Sequence, residues 1–477
     1  MHIGPQEWKQ LQDAGRARSA DTGRFASLHQ RLSTTIPDLA TREEAAHFLR
    51  EQLASVEERR SGLPADPSDL LEWMDSSVAD VHRRYAAYLC RRKAGGPREY
   101  FATRAQALFV LRGIAPTKVV DGAWLYGLVQ HWRNPRLSDL VRTYVEELGE
   151  GLPDKNHVLL YRNLLARHAL DPLDGLDDVL WQQGAIQLAL GWNAQEFLPE
   201  VIGFNLGYEQ LPLHLLITAY ELNELGIDPY YFTLHVTVDN PDTGHARRAC
   251  QAALDLLPRM DDAGEFWRRM RAGCKLACVG IGTTDVIDGF DVEGETLRIL
   301  ARKSVAGHGA HSEYCRVAGR SVNDWLRDPQ EMPDFLRALE SAGWIARGRP
   351  PSESRFWRLL QGERSEMFGV FSDYELQVIH DWIRGDEAKD GRAWDEGEGD
   401  GTARRRPTFR AVARNTPRAA TDVDPDLLDP DLIVMRERLA AAPEAAQRMA
   451  VLVEAMAPST HWSPAGLEAT RQFWALR

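Results

Sequence analysis

Apolar residues recur at intervals of three and four along nearly every periodic stretch of the chain, as in AAHFLREQLASVEERR near residue 50 and DPDLLDPDLIVMRERLAAA near residue 430. A helix returns to one face about every 3.6 residues, so this spacing predicts amphipathic helices, each with an apolar stripe to bury. The alternation of a half-buried strand is scarce. The expected fold class is all-α.

The density of aromatic and charged residues divides the chain. Residues 1–95 read as a helical extension with a loop at SGLPADPSD. Residues 96–260 read as the core of a bundle, because Tyr100, Phe101, Trp124, Trp192, Tyr231 and Phe232 gather there. Residues 261–385 remain helical, and MPDFLRALESAGWIARG ends in a glycine-containing turn that fits either a helical lid or a small winged-helix-like unit. Residues 386–430 are charge-dense, rich in Gly and Pro and poor in aliphatics, which predicts a flexible linker or long loop. The ARRRPTFR run within it reads as a solvated basic segment. Residues 431–477 return to helix-forming composition.

Composition narrows the function classes. At 477 residues, with 44% hydrophobic and 27% charged positions, the chain can bury a sizeable core divided over two or three folded units. A formal net charge of -13 leaves no overall basic surface for phosphates, so nucleic acid is not an expected partner. The polar start MHIGPQEWKQLQDAG lacks the apolar run of a secretory signal, and no apolar stretch approaches the roughly 20 residues of a membrane span. A cytoplasmic protein with no membrane partner is expected. Five cysteines fit a reducing compartment, and Cys274 and Cys278, one helical turn apart, read as buried thiols because no further ligands cluster with them.

Three segments carry candidate chemistry. In YYFTLHVTVDNPDTGHARRACQAALDLL, His235, Asp239, Asp242 and His245 lie within eleven positions. If the turn from His235 to Asp239 is helical, both side chains leave one face and can grip an ion, although Asn240, Pro241 and Gly244 also fit a turn in which Asp239 or Asp242 caps the next helix. In TYVEELGEGLPDKNHVLLYRNLLARHAL, Glu146 and Glu147 close a helix at Gly149 and Gly151, and His157 opens the next one among Val158, Leu159, Leu160 and Leu164. In EFLPEVIGFNLGYEQLPLHLL, Glu209 stands inside a strongly apolar run, where an unpaired carboxylate costs several kcal/mol and so calls for a cation or an arginine. Glu196, Glu200 and Glu221 read as surface charges. Taken jointly, histidines and carboxylates from separate helices form the ligand set of two-metal carboxylate bundles. Neither a nucleophile elbow nor a phosphate-binding loop is present; VGIGTTD at 279–285 has no G-K-[ST] ending.

The order EELGEG, His157, GFNLGYEQL and DPYYFTLHVTVDNPDTGHA resembles the heme-oxygenase-like diiron oxidase and oxygenase superfamily of iron-containing redox enzymes over roughly residues 96–260. The resemblance implies a seven-helix bundle with helical N- and C-terminal extensions that binds two iron ions, Fe2+, without heme. It also implies activation of dioxygen as cosubstrate to oxidise a small-molecule substrate by N-oxygenation, oxidative decarboxylation or C-C cleavage. Carried onto this chain, the metal-binding and catalytic set is Glu147, His157, Glu209, His235, Asp239 and His245. The family spaces its last aspartate and histidine by three, whereas Asp239 and His245 are six apart. Either the helix bulges there or Asp242 is the ligand, and Glu146 and Asp154 are alternatives to Glu147. Tyr161, Tyr208 and Trp192 are candidates for a pocket wall. Related bundles often pair, so a homodimer is expected. Two other readings keep the helices and change the chemistry: a single zinc or manganese hydrolase, and a noncatalytic helical binding protein. A heme protein would need one axial histidine and no clustered carboxylates.

Overall fold

The computed structural model describes residues 23–34, 36–171, 173, 175–210, 212–238, 244–260, 262–361, 365–391, 393–394 and 429–476. Helices dominate, as the periodicity predicts. The N-terminal ones are α1 (Arg24–Thr34), α2 (Leu39–Ser55) and α3 (Leu70–Lys93). The bundle follows with α4 (Arg104–Gly113), α5 (Ala115–Lys118), α6 (Ser138–Glu147), α7 (His157–Arg167), α8 (Gln182–Trp192), α9 (Leu198–Tyr208), α10 (Leu213–Glu224), α11 (Tyr230–Val238), α12 (His245–Leu256) and α13 (Ala263–Leu276).

Beyond these lie α14 (Thr283–Asp288), α15 (Val292–Gly307), a two-residue hairpin pairing β1 (Arg316–Val317) with β2 (Arg320–Ser321), then α16 (Val322–Leu326), α17 (Met332–Ser341), α18 (Arg355–Gln361) and α19 (Asp373–Arg384). The chain ends in α20 (Pro430–Ala441), α21 (Ala445–Ala455) and α22 (Pro464–Leu476). Of the expected linker at 386–430, the start belongs to a 3-10 turn, Gly385–Asp390, and 395–428, with the ARRRPTFR run, lies outside the described residues. Among the described residues no helix is long and apolar enough to cross a membrane.

The N-terminal helices pack directly on the bundle. The buried Glu221 carboxylate of α10 accepts hydrogen bonds from the Tyr88 hydroxyl of α3, 2.8 Å, and from the backbone N–H groups of Glu99, Tyr100 and Phe101. Glu221 was expected on the surface; it is instead a fully satisfied internal staple, which explains how a carboxylate tolerates burial there. Glu200 corrects the same expectation: it is buried on α9 and paired in fork geometry with Arg269 of α13, both bonds 2.7 Å. Glu196 is exposed, as expected, and pairs with Arg50.

The α9–α13 contact is backbone against backbone. A Cβ on Gly203 would overlap the Met270 carbonyl, and one on Gly273 would overlap Glu200. Residues beyond 260 thus pack directly on α9. Gly203→Ala should force these helices apart at a cost of about 1–3 kcal/mol, read as a fall in the urea midpoint with little change in slope. Cys274 is buried in this contact, but Cys278 is exposed because α13 has already ended at Leu276.

Candidate metal centre

Six places in the chain converge. After α5 the chain turns through Asp121 to Gly122, whose φ of 78° is left-handed; a Cβ there would lie 2.9 Å from the Glu147 Cβ, so glycine lets the Asp121 turn press against α6. Glu147 is the last residue of α6 and His157 the first of α7, where Asn156 caps the helix by accepting from the Leu159 N–H at 2.9 Å. Glu209 follows α9 as its cap residue. His235 sits on α11, and His245 begins α12.

These side chains form two buried groups, Asp121, Glu147, His157 and His235 on one side and Glu147, Glu209 and His245 on the other; within each, one ligand atom per residue falls within 4.8 Å of the others. Glu147 belongs to both. Its Oε2 lies 2.6 Å from His157 Nδ1, and its Oε1 lies 3.2 Å from His245 Nδ1. Oε2 and Nδ1 of His157 lie at ion-pair distance, yet not in the geometry of a hydrogen bond. Two buried polar atoms brought this close at a poor hydrogen-bond angle have the arrangement of ligands aimed at a common ion. The donor set is imidazole nitrogen and carboxylate oxygen without sulfur, which suits Fe(II), Mn(II) or Zn(II). On both counts the residues fit a bound metal.

Neighbouring groups fix the imidazoles. His235 Nδ1 donates to the Tyr231 carbonyl, 2.8 Å, which leaves Nε2 facing Asp121 Oδ2 at 3.1 Å. The Tyr231 hydroxyl donates to the same Oδ2 at 2.5 Å. Nε2 of His245 meets Glu146 Oε2 at 3.0 Å, while Nδ1 faces Glu209 Oε2 at 3.1 Å. Glu146 in turn is held by Arg142 and Arg248. A carboxylate behind a ligating imidazole orients the ring and raises its basicity.

Electrostatics agree with this division. Burial opposes the charge on Glu147, but the His157 and His245 imidazoles outweigh it and hold the carboxyl well below its usual range. Asp121 likewise resists burial through the Lys118 ammonium and then His235. Glu146, against burial, is drawn down to about 2 by His245 and its arginines. His235 is raised, the Asp121 carboxylate outweighing burial. Lys118 is buried over the rings of Tyr208, 5.3 Å, and Tyr231, 6.0 Å. Among the described residues no carboxylate pairs directly with Lys118; Asp121 acts on it through the field.

Five residues singled out in the sequence, Glu147, His157, Glu209, His235 and His245, lie in these groups. Asp239 and Asp242 lie outside the described residues, and with them the turn-capping reading. Both alternatives for the long Asp239–His245 spacing, Asp242 as ligand and a bulge, rest on residues outside the described ones; α12 begins afresh at His245, because Gly244 before it is extended, with φ -79° and ψ -171°. Glu146 stands behind His245 rather than in place of Glu147, and the Asp154 side chain is exposed. Tyr208 lines the Lys118 side of the centre, and Tyr161 backs it through a ring contact of 4.7 Å with Tyr231. Trp192 packs elsewhere, donating to the Leu32 carbonyl of α1.

Asp121 was missed. Its setting, VVDGAW, reads as a turn, yet it is a carboxylate inside an apolar run, the criterion that singles out Glu209.

Residues 108–277 match the family model of iron-containing redox enzymes. Asp121, Glu147, His157, Glu209, His235 and His245 all fall within that span. Searches of curated proteins and of solved structures returned no match.

Proposed function

We propose that this chain is an oxidoreductase in which Glu147 together with Asp121, His157 and His235 would hold one iron ion and Glu147 together with Glu209 and His245 a second, and that the bound iron would serve to oxidise a small organic substrate with dioxygen. The observation that supports this most is the sharing of Glu147, whose two oxygens face different ligand groups. Iron bound there would supply the electrons that dioxygen activation requires. The chain's own residues perform the rest. Three carboxylates offset the charge of the ions, and three imidazoles fix their directions. The Tyr231 carbonyl and Glu146 lock two of the rings. The Tyr231 hydroxyl keeps its proton and donates it in a hydrogen bond to Asp121 Oδ2, since burial and then Asp121 push that phenol well above its usual range. Lys118 adds a fixed positive charge beside the first group.

Anaerobic loading of the metal-free protein with Fe(II), followed by exposure to dioxygen, is expected to produce rapid dioxygen uptake and a transient visible absorbance. Copurification of zinc alone, with no dioxygen uptake after iron loading, would overturn the proposal in favour of the hydrolase. Metal affinity should also fall as pH drops. The proton on His235 is held more firmly than on an ordinary histidine, and an ion must displace it. Binding isotherms between about pH 8 and pH 6 in two buffers of different ionisation heat are expected to show net proton release.

A further inference from the structure

Between Glu147 and His157 the backbone takes an uncommon course. Gly149, Glu150 and Gly151 have φ of 65°, 55° and 80°, three successive left-handed residues, of which Glu150 carries a Cβ. Such conformations persist only where surrounding structure over-determines them. Here much of that structure comes from the end of the chain, outside the 108–277 family match. The Asn156 amide donates to the Leu148 carbonyl at 3.2 Å and to the His461 carbonyl at 3.3 Å, with His461 Nδ1 also 3.3 Å away. Arg471 of α22 donates to the Gly151 carbonyl at 2.6 Å, and Gly151 lies so close to the Leu467 carbonyl that a Cβ would overlap it. Tyr144, one turn before Glu147, donates to the Met456 carbonyl at 2.6 Å, and Arg162 of α7 lies over the Trp462 ring at 4.2 Å.

Both ligand-bearing helices and the loop joining them are thus gripped by residues 456–471. We propose that Asn156, His461 and Arg471 are positioning residues of the metal centre, so that the C-terminal helices set the spacing of Glu147 and His157 rather than forming an appended unit. This rests on the reading of Glu147 and His157 as ligands. The amide of Asn156 is the link: one side chain caps the helix that presents His157, ties down the carbonyl next to Glu147 and donates to the C-terminal segment.

Cobalt(II) titration of the full-length metal-free protein, followed through the visible d–d bands, tests this. Asn156→Ser keeps a hydroxyl that can cap the Leu159 N–H but cannot reach Leu148 and His461 together. It and His461→Ala should bind cobalt about 10–100-fold more weakly and shift the bands, with far-UV circular dichroism unchanged. Arg471→Ala, at an exposed position, removes the grip on Gly151 without disturbing the core and should weaken binding in the same sense, with Arg471→Lys restoring most of it. Arg438→Ala breaks an exposed pair with Glu454 within the C-terminal helices and should leave cobalt binding as in the wild type.

Wild-type affinity and bands in the Asn156, His461 and Arg471 variants would overturn the positioning role alone. Equal weakening by Arg438→Ala would also overturn it, because generic loosening would then suffice. A wild-type protein that takes up no cobalt would overturn the metal reading and this inference together.

Discussion

Glu147→Ala should empty both halves of the centre at once. Every other residue of the two groups belongs to one of them, whereas Glu147 sends one oxygen into each, so on the proposed reading its removal would deprive each ion of a ligand and leave two bound cations to repel one another. At close range that repulsion is large, since unit charges about 4 Å apart interact by about 4 kcal/mol at an effective dielectric of 20. After iron loading and dialysis, metal analysis is expected to give two ions per wild-type chain and nearly none for Glu147→Ala. His245→Ala is expected to keep the ion of the other group. A Glu147→Ala variant that retains one full equivalent would show that the two groups do not share this carboxylate.

Asp121→Asn is the second large effect. The amide keeps the shape and can still accept from the Tyr231 hydroxyl, but it is neutral. It removes the anion facing His235 Nε2 and the nearest negative field on the buried Lys118 ammonium. The first ion should be lost. The metal-free protein should also lose about 3–5 kcal/mol, the scale for stripping a partner from a buried charge. The stability loss has a pH signature. Asp121 has a folded pKa below its unfolded one, so its stabilisation is present above the unfolded carboxylate range and disappears as pH falls through the folded value. The wild-type and Asn variants should therefore converge in stability towards acid, as urea unfolding at a series of pH values would show.

How much of this was legible in the chain follows from what each feature depends on. The helices were legible because apolar spacing is a local property, and the end of α6 because Gly149 and Gly151 are local signals. Glu209 and His157 stood out as polar residues in apolar company. Asp121 did not, because the glycine after it gives the pair the look of a surface turn; only in three dimensions does Gly122 press that turn onto Glu147. Glu200 and Glu221 read as surface charges, since their partners Arg269 and Tyr88 are distant in sequence. For the same reason the seating of α13 on α9 was not legible: it depends on two glycines, Gly203 and Gly273, that look unremarkable in their own helices. The C-terminal helices were expected as an addition, and no local pattern announces that Arg471 reaches Gly151.

Crystals of the iron-loaded protein, measured on either side of the iron absorption edge, test the central claim most directly. Two anomalous peaks about 3.5–4 Å apart, one on each side of the Glu147 carboxylate, are the predicted result. A single peak, or peaks away from Glu147, would contradict it.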